Sequence, residues 1–187
     1  MGYHPEYYTR ALVLGRDESG EQNARVSVFT QQYGKIIASA RSMRAQRSRL
    51  SSHFQPMHFV KARFAPRGSG DGFVVIDSVL DDAFVPSVTR RRVDCLGVVR
   101  AVDLFAPELE QDGALWDALA GLFSSAPGSP DARHYVERII SRLGFGPRYA
   151  SCGACGALGV RGFVISRGEF VCERCALSMA QDGVLYL

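Results

Sequence analysis

The stretch Arg25-Val-Ser-Val-Phe-Thr-Gln-Gln-Tyr-Gly-Lys-Ile-Ile-Ala-Ser-Ala40 contains two short runs of β-branched and alternating residues, separated by a tight reversal at residues 31–34. Alternation with a period of two is typical of strands, and a glycine suits the reversal. Three similar runs, at residues 8–14, 57–64 and 73–79, flank this predicted hairpin. The one long connection, residues 41–56, lies between the third and fourth strands. Five strands with this spacing predict an OB-fold barrel.

The hydrophobic period changes after residue 82, where apolar residues recur with the spacing of helices. We predict helices at residues 88–105, 112–123 and 131–143. The last of them has Ser129 as a possible N-cap with Pro130 at its first position, and Gly144 with Pro147 to end it. Three helices of modest length predict a small bundle that rests on the barrel and on the C-terminal segment.

Four of the five cysteines form two Cys-x-x-Cys pairs, Cys152 with Cys155 and Cys172 with Cys175, separated by sixteen residues. This spacing is typical of a zinc site, because each loop turns two thiolates towards one point and two loops complete a tetrahedron. Four thiolates leave no open position, so we predict one structural zinc ion that does not activate water. Two disulfides, or a redox motif that occurs twice, are the alternatives. The fifth cysteine, Cys95, is expected to be a buried thiol.

These patterns predict an α+β multidomain chain with three parts. They are an OB-fold domain over residues 1–82, a helical domain over residues 83–147, and a four-cysteine zinc module with a short tail over residues 148–187. No apolar run approaches the ~20 residues that cross a bilayer, and the N-terminus has no apolar signal segment. We therefore expect a cytoplasmic protein with no membrane partner.

The net charge of +3 is distributed unevenly along the 187 residues. Residues 1–70 carry eleven Lys or Arg and four Asp or Glu, which gives +7, whereas residues 71–150 carry eight and twelve, which gives −4. Such a concentration of positive charge predicts a polyanion partner for the first segment. Its densest part is the basic loop, where Arg41, Arg44, Arg47 and Arg49 fall within nine residues of the long connection. Arginine binds phosphate bidentately, so on the rim of a barrel this loop predicts nucleic-acid contact, with a merely solvated loop as the alternative.

Cations and rings also share faces of the predicted strands. The fourth strand has one face with Met57, Phe59, Lys61 and Arg63, and the second and third strands have a mixed face with Arg25, Ser27, Phe29, Lys35 and Ser39. Interleaved cations and rings suit single-stranded nucleic acid, because the cations follow the backbone while the rings stack on bases. An aromatic residue on a small barrel can equally belong to the core, so Phe29 and Phe59 have both interpretations open.

No catalytic arrangement stands out in the sequence. The four histidines lack metal-ligand spacing with each other or with the cysteines, and no glycine-rich phosphate loop follows a strand. The acids at residues 81–82 and 103–112 are expected at helix starts and on the surface. A zinc hydrolase is disfavoured by the closed four-cysteine site. We therefore predict a protein that is not an enzyme.

Several runs resemble the N-terminal domain of the RecO family of bacterial recombination mediators. They are Ala11-Leu-Val-Leu-Gly-Arg-Asp-Glu-Ser-Gly-Glu21, Ala24-Arg-Val-Ser-Val-Phe-Thr30, Tyr33-Gly-Lys-Ile-Ile-Ala-Ser-Ala-Arg41 and Arg47-Ser-Arg-Leu50. Downstream, Gln55-Pro-Met-His-Phe-Val60 looks like the fourth strand of that family, and Leu143-Gly-Phe-Gly-Pro147 before Cys152 looks like its junction with the zinc module.

The resemblance implies a nucleoid-associated DNA-repair protein without a chemical reaction. Such a protein binds single- and double-stranded DNA, anneals complementary strands, and works with RecR to load RecA onto strands coated by single-stranded-DNA-binding protein. Carried over to this chain, the metal ligands are the four paired cysteines and the DNA contacts are Lys35, Arg41, Arg44, Arg47 and Arg49. The strand faces add Arg25, Lys61 and Arg63. An RNA- or ribosome-associated adaptor is the rival interpretation, because an OB sheet stacks the bases of either nucleic acid.

Overall fold

The computed structural model describes residues 6–19, 23–41, 49–67, 72–84, 92–124, 132–179 and 183–187. The first part contains β1 (Tyr7–Ser19), β2 (Asn23–Thr30), β3 (Gly34–Ala40), α1 (Arg49–His53), β4 (Phe59–Pro66) and β5 (Phe73–Leu80). The second contains α2 (Arg92–Phe105), α3 (Gly113–Phe123) and α4 (Ala132–Arg142). The third contains β6 (Val160–Val164), β7 (Glu169–Cys172), α5 (Glu173–Ser178) and β8 (Val184–Tyr186).

Strands β1 to β5 form a closed barrel in the order β1-β2-β3-β5-β4, with β4 pairing back onto β1. Strand β3 pairs with β5 in parallel, and the other pairs are antiparallel. This is the OB-fold order, so the predicted fold class is confirmed. Alternate residues of each strand fill the interior, among them Val13, Val28, Ile36, Val60 and Phe64. Helix α1 lies in the long connection between β3 and β4.

Part of the outer surface of the barrel is covered by the helices. Phe59 points outward from β4 but is only 2% exposed, because its ring stacks on Phe84 at 4.1 Å and meets Trp116 edge-on at 5.8 Å. Phe29 of β2 is 1% exposed in the same core. Of the two interpretations of these rings, the core position is therefore correct and the base-stacking platform is wrong. Alternation identifies the face of a strand but not what packs against that face.

A buried ion pair fixes the exit from the barrel. Asp81 follows β5 and is 3% exposed, and its carboxylate accepts a hydrogen bond from Arg10 Nε at 2.6 Å. Lys61 Nζ lies 3.7 Å from the other carboxylate oxygen. The Arg10 guanidinium also lies 4.8 Å from the ring centroid of Phe84, in the 3-10 turn Asp82–Phe84. Strands β1 and β4 and the turn after β5 are thereby held at one point.

The predicted hairpin reversal needs its glycine for two reasons. Gly34 has a φ of +68°, which L side chains rarely adopt, and a Cβ at this position would lie 1.9 Å from the carbonyl oxygen of Glu110. The backbone of the 108–110 segment runs beside β3, where Leu109 N–H donates to the Lys35 carbonyl at 2.9 Å. The segment after α2 thus extends the surface of the barrel at its β2–β3 end.

The helices follow the predicted ranges closely. Asp112 is the N-cap of α3, and its side chain accepts a hydrogen bond from Leu115 N–H at 2.9 Å, as expected for an acid at a helix start. Gly144, after α4, has a φ of +94°. The proposed cap at Ser129 and Pro130 lies outside the described residues. No helix in the described ranges is long and apolar enough to span a membrane.

The C-terminal sheet, in the order β7-β6-β8, buries both of its faces. On one face Phe163, Phe170 and Leu185 join the core shared with the helices and the barrel. On the other face Val164, Val171 and Val184 pack around the cysteine module together with Ala176 of α5. Successive residues of each strand therefore point alternately into the main core and into the cysteine module. The sheet thereby fixes the position of the candidate metal site.

Candidate metal centre and nucleic-acid surface

The four paired cysteines converge on one point, as their spacing predicted. Their sulfur atoms all lie within 4.8 Å of one another. Cys152 begins a tight loop in which Gly156 N–H donates to its carbonyl at 2.7 Å, and Cys155 lies within that loop. Cys172 ends β7 and caps α5, whose first turn contains Cys175. A loop and a strand–helix junction, joined by the hydrogen bond from Gly153 N–H to the Phe170 carbonyl at 2.9 Å, therefore supply two sulfurs each.

The sulfur geometry fits a tetrahedral metal ion. Cys155 Sγ lies 3.8 Å from Cys172 Sγ. A metal–sulfur bond of about 2.3 Å, as in zinc sites, gives a tetrahedron whose edge is about 3.8 Å. No disulfide joins the four paired cysteines, so the two-disulfide alternative does not describe this structure. Cys95 is buried, as expected.

The surroundings of the thiols shift the pKa of Cys152 and that of Cys175 in opposite directions. The backbone N–H of Cys172 is the main cause that lowers the pKa of Cys152 to about 6, and the N–H groups of Cys155 and Ala154 act in the same direction. The neighbouring sulfurs, that of Cys172 first, raise the pKa of Cys175 to about 12. A divalent ion at the centre would favour all four thiolates at neutral pH. The donor set therefore fits a soft or borderline metal.

The predicted nucleic-acid contacts fall into separate groups, and the first lines a cleft. Arg25 of β2 and Arg67, immediately after β4, line a cleft of about 420 Å³ where β3 meets β5. Ser39, Phe73 and Glu108 complete its wall. Arg67 was not predicted from the sequence. The available signal was its position directly before the glycine-rich connection of residues 68–72 between β4 and β5.

The basic loop is described only at its ends. Arg41, which follows β3, is exposed, and Arg49 begins α1. Arg44, Arg47 and the side chain of Arg49 lie outside the described residues. The predicted contacts in this loop therefore stay predictions.

Lys61 and Arg63 lie on the outer face of β4 and are held by carboxylates. Arg63 donates to Asp77 at 2.7 Å and to Glu6 at 3.1 Å, and Lys61 faces the buried Asp81. The hydrogen bond from Arg63 lowers the pKa of Asp77. A phosphate group that approached Arg63 would thus have to compete with two carboxylates.

Lys35 is a predicted contact that is buried in the structure. It is 8% exposed, and its Nζ donates to the backbone carbonyl of Asp103 in α2 at 2.8 Å. The hydroxyl of Ser27 on the neighbouring strand donates to the Asp103 side chain. Both bonds tie α2 to the barrel. We correct the prediction accordingly and leave Lys35 out of the contact set, because a side chain under a helix cannot reach a nucleic acid.

A closed barrel in the OB order, joined to a helical layer and a four-cysteine module, defines an OB-fold protein with a metal-binding module. Residues 3–79 match the family model described as "Recombination protein O N terminal". In an alignment of 188 positions, the chain is 28% identical to the "DNA repair protein RecO" of Cutibacterium acnes (strain DSM 16379 / KPA171202). The alignment covers 91% of this chain and 74% of the relative. These findings support the assignment of the chain to the RecO family, which its sequence resembles.

Proposed function

We propose that this protein is a DNA-binding recombination mediator in DNA repair. The observation that carries the proposal is the arginine-lined cleft where β3 meets β5 in the OB barrel. The barrel lies within the residues that match the RecO family model. The name of the Cutibacterium acnes relative points to DNA repair as the process. The proposed activity is binding of single- and double-stranded DNA, annealing of complementary strands, and loading of RecA together with RecR. Single-stranded-DNA-binding protein is a further proposed partner.

The proposed contacts are phosphate contacts in the main. Arg25 and Arg67 would hold the backbone in the cleft, and the basic loop that starts at Arg41 would extend this path beyond the described residues. Lys61 and Arg63 form a second, carboxylate-screened group on β4. Contacts with phosphates carry little sequence information, so slight base preference is expected. Neutralising both backbones lets two complementary strands approach, which requires no ATP.

The cysteine module has a structural role in this proposal. We propose one zinc ion held by Cys152, Cys155, Cys172 and Cys175, with no open position for a reactant. Metal binding at such sites is coupled to folding, so the ion would hold the sheet β7-β6-β8 together. We further propose domain divisions near residues 82 and 147, with the helical layer as the part that joins barrel and module.

The test is an ATP-free annealing assay with two complementary oligonucleotides. Replacing Arg67 by Glu puts a negative charge into the cleft, so the annealing rate and the DNA affinity should fall, and the slope of log affinity against log salt should become shallower by about 0.7 for single strands. Arg100→Glu is the matched control, since Arg100 is exposed on α2 and lines neither the cleft nor a cysteine loop. Equal losses in the two variants would refute the cleft as the site.

The same preparation distinguishes DNA from RNA as the ligand. Single-stranded DNA and RNA of equal length compete for binding to the wild-type chain, and the amount of each that stays bound is measured. Absence of annealing together with preferential retention of the RNA would refute the proposal and favour the RNA adaptor.

A further inference from the structure

A second groove lies between α4 and the cysteine module. It encloses about 940 Å³, more than twice the volume of the barrel cleft. Arg138 comes from α4, Arg148 and Tyr149 come from the turn that follows it, and Leu158 and Arg161 come from the module. Two parts of the fold thus build one surface, and none of these residues was singled out from the sequence as a contact.

The groove is strongly basic. Its walls contain four arginines and His134, against a single acid, Glu137. Arg142, one of the four, is tied to Asp112 at 2.8 Å. Across the part of the chain that the structure describes, the other three arginines form no ion pair, and all three are exposed. Their guanidinium groups are available to an anionic ligand, in contrast to that of Arg63 on the barrel.

An exposed aromatic ring lies among these cations. Tyr149 is 89% exposed, although it is fixed at the end of the 3-10 turn Pro147–Tyr149. The Arg148 guanidinium lies 5.9 Å from the centroid of the ring. Leu158, across the groove, is 84% exposed. The ring contributes little to the core, and the face opposite Arg148 is open for stacking.

We infer that this groove is a second binding site for single-stranded nucleic acid. The unpaired arginines take phosphates, and Tyr149 stacks on a base, a combination that every nucleotide satisfies. The inference rests on the proposed function for its choice of ligand and adds a second path for it. One chain then holds one strand at the barrel and another at the groove, which brings the two strands together on one molecule.

An acidic peptide is the ligand that competes with this inference. Carboxylates could use the same arginines, and Leu158 could take an apolar side chain. Nucleic acid is favoured because the most exposed large hydrophobic side chain of the groove is an aromatic ring beside a guanidinium, which pairs a stacking surface with a phosphate site.

The location is tested by crosslinking to the full zinc-loaded chain. A single-stranded oligonucleotide that contains 5-bromouracil is bound and irradiated, and the crosslinked peptides are identified by mass spectrometry. We expect a crosslink at Tyr149, in addition to crosslinks on the barrel. Crosslinks on the barrel alone would overturn the second site and leave the proposed function intact.

Substitutions test the mechanism in the annealing assay. Tyr149→Ala should slow annealing by about fivefold or more, the effect of losing one stacked base, whereas Tyr149→Phe should keep the wild-type rate because it keeps the ring. Arg161→Glu should slow annealing, and the matched control Arg100→Glu should not. All four changes are at exposed positions, so circular dichroism and zinc content should stay unchanged.

Three results would count against the inference. Wild-type annealing by both Tyr149→Ala and Arg161→Glu would overturn it while sparing the proposed function. A fluorescent acidic peptide that binds the wild-type chain but not Arg161→Glu, with DNA crosslinking unaffected, would reassign the groove to a peptide. Failure of the wild-type chain to bind the oligonucleotide at all would overturn both proposals.

Discussion

Replacing Asp81 by Asn tests whether the ion pair of Asp81 with Arg10 and Lys61 stabilises the exit from the barrel. The substitution keeps the shape of the side chain and removes its charge. Asp81 is the buried partner, whereas the side chains of Arg10 and Lys61 are 34% and 44% exposed. The two cations that remain after the substitution can therefore be hydrated by water.

The magnitude follows from this difference in burial. Breaking a fully buried pair costs about 3–5 kcal/mol, because an unpaired charge is left inside the protein. Here the charges left behind reach solvent, so the loss is closer to that of one charge-assisted hydrogen bond, about 2 kcal/mol. For a chain of this size such a loss lowers the Tm by about 4–8 °C.

The assay is urea unfolding of the zinc-loaded chain, followed by tryptophan fluorescence. Trp116 is a suitable probe because it packs against Phe59, whose backbone carbonyl accepts the Asp81 N–H. Asp82→Asn is the matched control, since Asp82 is exposed and surface substitutions usually change stability by no more than about 0.5 kcal/mol. The two variants carry the same change in net charge.

The two variants should differ clearly in stability. Equal free energies of unfolding for Asp81→Asn and Asp82→Asn would refute the reasoning, because the pair would then contribute no more than a surface charge. DNA affinity gives an independent measurement: Asp81→Asn frees Lys61, so affinity should be kept or increased although stability falls.

Two further predictions concern the metal centre and the barrel surface. Purified protein should contain one zinc per chain, and Cys172→Ser should release it and unfold the C-terminal segment, as measured by metal analysis and circular dichroism; fresh, reduced wild-type protein without metal would contradict this. Asp77→Asn should raise DNA affinity and steepen its salt dependence, because it removes a carboxylate that accepts hydrogen bonds from Arg63 and competes with phosphate for it. A salt titration checks it, and an unchanged affinity would mean that Arg63 is not a contact.

The strands and the metal site were predictable because both depend on local spacing. Alternation over residues 25–40 was enough for the hairpin, and the one long connection was enough for the barrel order. The cysteine pairs determine where four sulfurs can meet, whatever packs around them.

The surface of the barrel was not predictable in the same way. Phe59, Lys61 and Arg63 share one face of β4, yet the first is core, the second flanks a buried acid and the third is half-buried between carboxylates. Their differences depend on α3, on the acids in and after β5, and on Glu6, all distant in sequence, and no period along β4 contains that information. The groove beside Tyr149 was missed for a related reason, since its walls come from elements on either side of the first cysteine loop.

The two-faced C-terminal sheet has a consequence for how the chain is made. Leu185 lies in the main core, and its side chain comes so close to Gly97 of α2 that a Cβ there would lie 2.6 Å from Leu185 Cδ2. Ribosomes release a chain from its N-terminus, so the barrel and α2 emerge while β6 and β8 are still unsynthesised. The part of α2 that contacts Leu185 therefore stays uncovered until the last strand has been synthesised, although the rest of the helix can already pack on β1 and β2. The main core can be completed only then, together with the folding of the metal module.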